Sequence, residues 1–267
     1  MSTRAPGDRR IHAIHPSALV DPRAELGEDV EIGPYCVVGP GVRVGAGTRL
    51  LAHVVITGGA AIGERNVFHP FAVIGGDAQI RKMGAGAASA SAGRASLVIG
   101  AENVFREHVT VSVSSADAPT SIGDGNLLMA GAHVAHDVVL GSRCVVANGV
   151  QLAGHVVVED WVNFGGLAGV AQYKRVGQSA FVAAGAMCER DVPPFVIVQG
   201  DRARVRALNV IGLERRGVPA ASMVNLKRAF ARTFGRRDPD VGFDRAVRDL
   251  DRSDPMVDAF ARALGGG

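Results

Sequence analysis

The sequence predicts a parallel β-helix followed by a small α-helical domain, and three features carry this prediction. An aliphatic residue or Phe recurs every six positions through most of the chain up to Cys188. A Gly commonly follows that residue, as at Gly27 and Gly33. Beyond Gly200 the spacing of the apolar residues becomes helical. A six-residue period fits neither an α-helix nor an alternating strand, whereas hexapeptide repeats are typical of a β-helix.

The repeat occurs in three runs, and their combined length sets the size of the β-helix. The repeated apolar residues run from Ile14 to Ile74, from Ile99 to Val111 and from Ile122 to Cys188. Three hexapeptides complete one triangular coil of eighteen residues, in which the aliphatic side chain points inward. We therefore expect about nine coils, stacked ~4.8 Å apart into a prism roughly 40 Å long.

Two interruptions and one change of period divide the chain. We expect a β-helix domain over 1–198, with inserted loops near 76–98 and 112–121, and a helical C-terminal domain over 199–267. The prolines at 193–194 end the strand pattern, because Pro cannot donate to a strand ladder. Apolar residues at helical spacing then predict four short helical segments, the first of which opens at Leu208. Their apolar residues include Leu213, Leu226, Val247 and Phe260.

The two inserted loops differ in what they offer a site. The first is rich in Gly, Ala and Ser, and it carries Gln79 and Lys82, polar side chains that can fold over a site. The second, near 112–121, fits equally well with a surface excursion and with a contribution to function. Interruptions of this kind often carry the function of a solenoid.

Composition and charge exclude several classes of protein. A net charge of +3 does not by itself call for a nucleic-acid partner. No run of about 18 apolar residues predicts a transmembrane helix, and residues 1–10 are polar and lack an apolar signal region. The three cysteines are far apart, so they predict neither a disulfide framework nor a zinc knuckle. The expected location is the cytoplasm.

The stretch between Leu128 and His155 holds the candidate catalytic groups. Residues eighteen apart stack in successive coils, so Asp137 is expected to lie over His155, and His136 over Gly154 and then Gln172. A neutral imidazole is a suitable general base near neutral pH, and a nearby carboxylate would orient it. We expect Gly154 to leave open space above the base. The alternative interpretation is that these histidines, His133 included, are ordinary corner residues that face solvent.

Several motifs together resemble a known family. They are His133-x-x-His136-Asp137, Leu152-Ala153-Gly154-His155, Asp191-Val192-Pro193-Pro194 and Gly212-Leu213-x-Arg215-Arg216-Gly217. Over nearly the whole chain the sequence resembles the acyl-(acyl-carrier-protein)–UDP-N-acetylglucosamine O-acyltransferases of lipid A synthesis. The resemblance implies a left-handed β-helix and a homotrimer with active sites between subunits. It also implies that the enzyme needs no metal or other cofactor.

The resemblance also implies roles for individual residues. His136 would deprotonate the 3-hydroxyl of the sugar, whose oxygen attacks the thioester of a hydroxyacyl carrier protein. Asp137 would support the imidazole, and the backbone N–H of Gly154 would stabilise the oxyanion. Other positions match residues that contact substrate in the family, namely Gln79, Lys82, His133, His155, Gln172 and Arg215. Ala184 matches the position that limits the length of the acyl chain.

Three departures from the family pattern keep alternatives open. Ile80 replaces an Asp of the first loop, the stretch 111–115 replaces Ile-His-Arg-Gly-Thr, and Ala171 replaces a His. A site without the partners of a hydroxylated substrate binds that substrate poorly. The chain could instead acylate another nucleotide sugar or a 3-amino sugar. Two further alternatives are a zinc carbonic anhydrase with ligands His133, His136 and His155, and a binding module without catalytic activity.

Overall fold

Very short strands, separated by corners, follow one another through residues 13–208. The computed structural model describes residues 13–80, 96–235 and 242–265. The first run comprises β1 (Ala13–Ile14), β2 (Leu19–Val20), β3 (Glu25–Leu26), β4 (Glu31–Ile32), β5 (Val37–Val38), β6 (Arg43–Val44), β7 (Arg49–Leu50), β8 (Val55–Ile56), β9 (Ala61–Ile62), β10 (Val67–Phe68) and β11 (Val73–Gly76). The second run comprises β12 (Leu97–Ile99), β13 (Val104–Phe105) and β14 (Thr110–Ser112).

A third run completes the repeat. It comprises β15 (Thr120–Ile122), β16 (Leu127–Leu128), β17 (His133–Val134), β18 (Val139–Leu140), β19 (Val145–Val146), β20 (Gln151–Leu152), β21 (Val157–Val158), β22 (Asn163–Phe164), β23 (Gly169–Val170), β24 (Arg175–Val176), β25 (Phe181–Val182) and β26 (Met187–Cys188). Every third strand pairs in parallel, so the strands form three sheets, one on each side of a triangular prism. The predicted parallel β-helix is therefore confirmed.

The repeated apolar residue is the inward residue of each strand, as the six-residue period predicts. In β4, for example, Glu31 is exposed and Ile32 is buried. Consecutive coils stack these side chains on one another, and the rings of Phe68 and Phe105 lie 4.7 Å apart inside the prism. The core is thus a column of aliphatic side chains with few aromatic rings. This arrangement suits a chain in which hydrophobic residues make up 47% but aromatic residues only 5%.

A ladder of buried asparagine side chains also crosses the coils. The Oδ1 atom of Asn66 accepts hydrogen bonds from the backbone N and Nδ2 of Asn103, at 2.9 and 3.0 Å. Asn103 in turn accepts from the backbone N and Nδ2 of Asn126, at 2.8 and 2.9 Å. All three side chains are buried. The ladder replaces an apolar position without leaving the polar atoms unpaired.

The β-helix ends in an antiparallel hairpin that the period did not predict. Strand β27 (Val196–Gln199) pairs in parallel with β25 and antiparallel with β28 (Arg204–Leu208). Leu208, which we expected to open a helical segment, is therefore the last residue of a strand. The predicted domain boundary between 198 and 199 falls within this hairpin, and the division into two domains stays a prediction.

In the part of the chain that the structure describes, four helices follow the hairpin, in agreement with the four predicted segments. They are α1 (Val210–Arg215), α2 (Ala220–Phe234), α3 (Phe243–Arg248) and α4 (Pro255–Ala263). The side chain of Asn209 caps α1 by accepting from the N–H of Gly212, and Asp254 caps α4 in the same way. The ring of Phe234 contacts Phe230, Phe243 and Phe260, which ties three helices together. Within the described residues, no helix is long and apolar enough to cross a membrane.

Candidate active site

His136 and Asp137 form a hydrogen-bonded pair at the corner between β17 and β18. The Nδ1 atom of His136 lies 2.7 Å from Oδ2 of Asp137, and both side chains are more than nine-tenths buried. His155 occupies the same corner one coil further along, and its Nε2 lies 3.5 Å from the same carboxylate oxygen. Its backbone N–H donates to the carbonyl of His136 at 3.1 Å. The stacking of residues eighteen apart is therefore confirmed here.

The backbone conformation of Asp137 explains how adjacent side chains meet. Neighbouring residues of a strand point to opposite faces, which would separate His136 from Asp137. Asp137 instead has φ 61°, and the residues stacked on it, His155 and Tyr173, both have φ 62°. This left-handed conformation turns the chain at the corner and directs the carboxylate back toward the imidazole. The rings of His155 and Tyr173 then stack in parallel, with centroids 4.5 Å apart.

Hydroxyl groups from the second loop hold the Asp137 carboxylate. Ser114 Oγ contacts Oδ1, and Ser115 donates from its backbone N to Oδ1 at 3.1 Å and from its Oγ to Oδ2 at 2.6 Å. The backbone N–H of Asp137 donates to Thr120 Oγ1 at 2.8 Å. Burial alone would raise the pKa of Asp137, but these hydrogen bonds and that of His136 outweigh it and lower the pKa to about 2. Asp137 is therefore ionised at neutral pH.

The second loop is consequently part of the site. Sequence reasoning left it open whether residues 112–121 form a surface excursion, and it treated Ser114 and Ser115 only as departures from a family pattern. In the structure Ser114 and Thr120 are buried, and Ser115 lies at the edge of the site. No periodic signal could have found them, because the loop interrupts the eighteen-residue register. A cluster of hydroxyl side chains in an otherwise apolar repeat was the available clue.

Gly154 lies against the imidazole of His136. We expected Gly154 to leave open space above the base, and both residues line a cavity. A Cβ atom built on Gly154 would lie 2.6 Å from Cε1 and 2.8 Å from Nε2 of His136, so the ring fills the space directly beside the Gly154 Cα. Glycine is required because any side chain would displace the imidazole. Among the described residues, no group accepts a hydrogen bond from the Gly154 N–H.

His133 contributes a further polar side chain to the wall of the site. Its Nδ1 lies 2.7 Å from Oγ1 of Thr110 on the neighbouring strand, and it is paired in register with Gln151. Burial lowers the pKa of His133, an effect that the bond to Thr110 only partly offsets. His133 is therefore held neutral and oriented, which suits a hydrogen-bonding role toward a ligand.

A cavity of about 560 Å³ joins these groups. Gln79, His133 and His136, which the sequence singled out, line it together with Gly154, and Gln172 lines it two coils beyond His136. The cavity runs along the outer face of β20, β23 and β26, past Gly169 and Met187, to Glu189 and Asp201. A mostly apolar wall that also carries polar groups suits a ligand with both a hydroxylated group and an aliphatic chain.

Two predicted site residues, Arg215 and Ala184, lie away from His136. A third, Lys82, falls outside the described residues. Arg215 lines a different cavity, of about 690 Å³, between α1 and the sheet that contains β19, β22 and β25. Ala184 is exposed on a corner of the prism and forms no part of the wall of either cavity. The structure of one chain therefore does not bring Arg215 or Ala184 to His136.

The second cavity has a basic and aromatic wall that sequence reasoning did not identify. The guanidinium carbons of Arg143 and Arg216 lie 4.8 Å and 5.4 Å from the centroid of the Trp161 ring. Arg216 donates to Oγ of the buried Ser179 at 2.6 Å. Burial lowers the pKa of Arg216, although the guanidinium stays protonated at neutral pH. Arg215 stands at the same cavity, so α1 presents two adjacent cations there.

The donor set at the corner suits a hydrogen-bonded base better than a zinc ion. Donor atoms of His136, Asp137 and His155 lie within 4.8 Å of one another. However, His136 and Asp137 are already joined at hydrogen-bond distance, and both oxygens of the carboxylate accept from serine groups. The zinc alternative also needed His133, whose Nδ1 is engaged by Thr110.

None of the three cysteines is suited to act as a nucleophile. Cys36, Cys144 and Cys188 are free thiols buried in the prism. Burial raises the pKa of Cys144 to about 12 and that of Cys188 to about 11. Because the thiolate is the reactive form, acyl transfer through a cysteine is disfavoured.

Comparison with known proteins gives a consistent assignment. A family model described as UDP N-acetylglucosamine O-acyltransferase, domain 2, matches residues 191–265, and a bacterial transferase hexapeptide model matches residues 13–46 and 119–154. The acyl-(acyl-carrier-protein)–UDP-N-acetylglucosamine O-acyltransferase of Gloeothece citriformis is 45% identical over 227 residues, which are 84% of this chain and 80% of that protein. The enzyme of the same name from Sinorhizobium fredii is 40% identical over 238 residues, 88% of this chain and 86% of that protein.

Solved structures agree with the sequence matches. The UDP-N-acetylglucosamine acyltransferase of Francisella novicida has a TM-score of 0.85 at 32% identity and covers 94% of this chain and 91% of its own. That of Campylobacter jejuni has a TM-score of 0.84 at 30% identity, with 93% and 94% covered. The identity and coverage of these relatives are high enough to assign membership. The chain belongs to the acyl-(acyl-carrier-protein)–UDP-N-acetylglucosamine O-acyltransferase family.

Proposed function

We propose that this protein transfers a 3-hydroxyacyl chain from acyl carrier protein to the 3-hydroxyl of UDP-N-acetylglucosamine, the first step of lipid A biosynthesis. The family assignment supports the reaction and its two substrates. The observation that carries the mechanism is the buried His136–Asp137 pair, which stands beside Gly154 at a cavity whose wall is mostly apolar.

His136 acts as the general base in this proposal. Because Asp137 is ionised, Nδ1 of His136 carries the proton of their hydrogen bond and Nε2 keeps its lone pair. Nε2 takes the proton of the sugar 3-hydroxyl as the oxygen attacks the thioester carbonyl. A positioned base of this kind contributes about 10²–10⁴-fold to the rate. Asp137 stabilises the imidazolium that forms and remains ionised.

The second half of the reaction uses the same groups. Addition to the carbonyl produces a tetrahedral oxyanion, and the Gly154 N–H is the proposed donor to it. Collapse of that intermediate forms the ester and breaks the carbon–sulfur bond. The imidazolium of His136 then returns its proton to the departing thiolate of the carrier protein. The base is thereby regenerated without a metal or any other cofactor.

The remaining predicted residues bind substrate in this proposal. His133, Gln79 and Gln172 line the same cavity as His136, and His155 stands beside Asp137. Arg215 lies in a different cavity of the same chain, so its contact with substrate requires a neighbouring copy. We therefore propose a homotrimer in which the cation-bearing α1 of one subunit faces the His136 cavity of the next. We also place the reaction in the cytoplasm, where carrier protein and nucleotide sugars are found.

The departures from the family pattern do not favour another acceptor. The relatives at about 40% identity are named as O-acyltransferases, and the replacement stretch that contains Ser114 and Ser115 has its own role in holding Asp137. The buried His136–Asp137 pair supports an enzyme rather than an inactive binding module.

A product assay tests the proposal. Purified protein is incubated with a set of 3-hydroxyacyl carrier proteins and UDP-N-acetylglucosamine, and the nucleotide sugar is analysed by mass spectrometry. We expect an ester at the 3-position. Parallel reactions with the 3-amino analogue of the sugar test the alternative acceptor. Faster turnover of the amine, or no ester with any chain length, would contradict the proposal.

A further inference from the structure

Ser115 makes an unusual pair of contacts with the carboxylate of Asp137. Its backbone N–H donates to Oδ1 at 3.1 Å, and its hydroxyl donates to Oδ2 at 2.6 Å. Oδ2 is the same oxygen that accepts from Nδ1 of His136 at 2.7 Å. The hydroxyl of Ser115 also lies 3.5 Å from that Nδ1. Two donors, one from the base and one from the loop, therefore meet on a single carboxylate oxygen.

We propose that Ser115 is a positioning residue that sets the proton affinity of His136 by competing with its imidazole for Oδ2 of Asp137. The inference rests on the proposed function in so far as His136 is the base. It goes beyond that function by assigning the control of its basicity to a residue of the second loop, 21 positions away in the chain.

The Asp137 carboxylate divides its negative charge among the donors that bond to it. A hydrogen bond to the charged form of an acid favours that form and weakens what the acid offers to other partners. With Ser115 in place, Oδ2 serves two donors and stabilises the imidazolium less than it would alone. Without the hydroxyl, Oδ2 is left to His136 and the imidazolium gains stability. The base would then be protonated at a higher pH.

Ser115 can be tested separately from the architecture of the loop. Ser114 is buried, and its hydroxyl also contacts the carbonyl oxygens of Ala116 and Ala118, so its replacement would disturb the loop itself. Ser115 is exposed, and its backbone contact with Oδ1 survives removal of the hydroxyl. A Ser115→Ala variant should therefore fold normally and lose one hydrogen bond.

Other titratable groups also face this pair. Within the described residues they are His133, which burial holds neutral, and His155, whose Nε2 lies 3.5 Å from Oδ2 of Asp137. Tyr173 stacks on the far face of His155. None of these contacts involves the Ser115 hydroxyl, so comparison of Ser115 variants isolates its contribution.

Two measurements follow the protonation of His136, one by NMR and one by kinetics. Wild type, Ser115→Ala and Ser115→Thr are titrated by NMR of the His136 ring, and kcat is measured from pH 5.5 to 9 with 3-hydroxyacyl carrier protein and UDP-N-acetylglucosamine. In Ser115→Ala we expect the ring midpoint and the acid limb of kcat to rise together by about half a pH unit. The ratio of the wild-type kcat to the Ser115→Ala kcat is then about threefold larger at pH 6 than at pH 8. Ser115→Thr restores both values.

Each result bears on the proposal. A Ser115→Ala variant whose kcat falls equally at every pH, with the ring midpoint unchanged, would overturn it in favour of a purely structural role. Unchanged kcat and an unchanged midpoint would overturn it as well. The NMR titration needs no turnover, so an inactive wild type would refute the proposed substrates and leave the titration as an independent test. Asp137→Asn is the reference, and it should lower the ring midpoint because the charged partner is gone.

Discussion

The imidazole of His136 lies directly against the Cα atom of Gly154, one coil further along the prism. A Cβ atom at position 154 would approach Cε1 to 2.6 Å and Nε2 to 2.8 Å. The base therefore occupies its place because residue 154 has no side chain. The same contact brings the Gly154 N–H, the proposed oxyanion donor, beside the nitrogen that takes the proton.

Gly154→Ala should consequently displace the base. We expect kcat to fall by about 10²-fold, because a displacement of about 1 Å at a reacting group costs that much. Stability should fall by only about 1–3 kcal/mol, the usual cost of overpacking. Gly39→Ala is the control, since its nearest neighbour would lie 3.4 Å away. Kinetics and thermal unfolding of both variants check this, and full activity in Gly154→Ala would show that the contact is unimportant.

Asp137 should make the stability of the protein depend on pH in the acid range. Its pKa in the folded protein is about 2, below the usual value of about 3.9 for an unfolded chain. The carboxylate therefore stabilises the fold above about pH 4, and this contribution is lost as the pH falls through 2. We expect it to be on the order of 1–2 kcal/mol after allowance for solvent screening.

Urea unfolding between pH 2 and pH 5 measures that contribution. The free energy of unfolding of Asp137→Asn should change less over this range than that of the wild type. Parallel curves for the two proteins would mean that the carboxylate is not held ionised by Ser114, Ser115 and His136.

Met187 should limit the length of the acyl chain. Its Sδ lies 2.8 Å from where a Cβ of Gly169 would be, so its side chain lies across the cavity wall at Gly169. We expect Met187→Ala to shift the preferred donor toward acyl chains longer by roughly two carbons, because the substitution removes a flexible apolar side chain from the cavity. Competition among 3-hydroxyacyl carrier proteins of different lengths measures the preference.

Ala184→Met is the comparison variant for chain length. The family resemblance predicts that a bulky residue there shortens the accepted chain, although Ala184 lies outside this cavity wall in one chain. In a homotrimer it would act from a neighbouring subunit. An unchanged chain preference in Met187→Ala would remove Met187 from this role, whatever Ala184→Met does.

The buried asparagine ladder should contribute strongly to stability. Asn103→Ala would remove the acceptor of two N–H groups of Asn126 and the side-chain donor to Oδ1 of Asn66, which keeps only its bond from the backbone N of residue 103. We expect a loss of about 2–4 kcal/mol, because unpaired buried polar groups retain their full desolvation cost. Asn163→Ala should cost under about 1 kcal/mol, since Asn163 makes a 3.3 Å bond to the Trp161 carbonyl. Chemical unfolding compares the two, and equal losses would contradict the prediction.

The six-residue period of the apolar residues made the prism and much of the site predictable. Regular spacing of Ile, Leu and Val fixes which residue of each strand points inward, and it places His133 beside Gln151 and His155 next to His136. The helices were recognisable because their apolar residues recur at helical spacing, as Leu226 and Phe230 do in α2. Both signals are local and repetitive, so they do not depend on tertiary detail.

What could not be predicted depends on features that break the period. The left-handed backbone at Asp137 turns its carboxylate toward His136, whereas strand alternation would separate the two. Ser115 reaches Asp137 from a loop that lies outside the eighteen-residue register. Strand β28 begins after a turn, and its apolar residues at 205 and 208 follow no hexapeptide spacing. Such contacts follow from the three-dimensional path of the chain.

The role of His136 as the general base is tested most directly by replacing it with Ala. The measurement is kcat/KM for acyl transfer to UDP-N-acetylglucosamine, with His155→Ala as the comparison. We predict a fall of about 10²–10⁴-fold for His136→Ala and a smaller fall for His155→Ala, whose ring lies 3.5 Å from Asp137 and does not line the cavity. Full activity of a folded His136→Ala protein would contradict the mechanism.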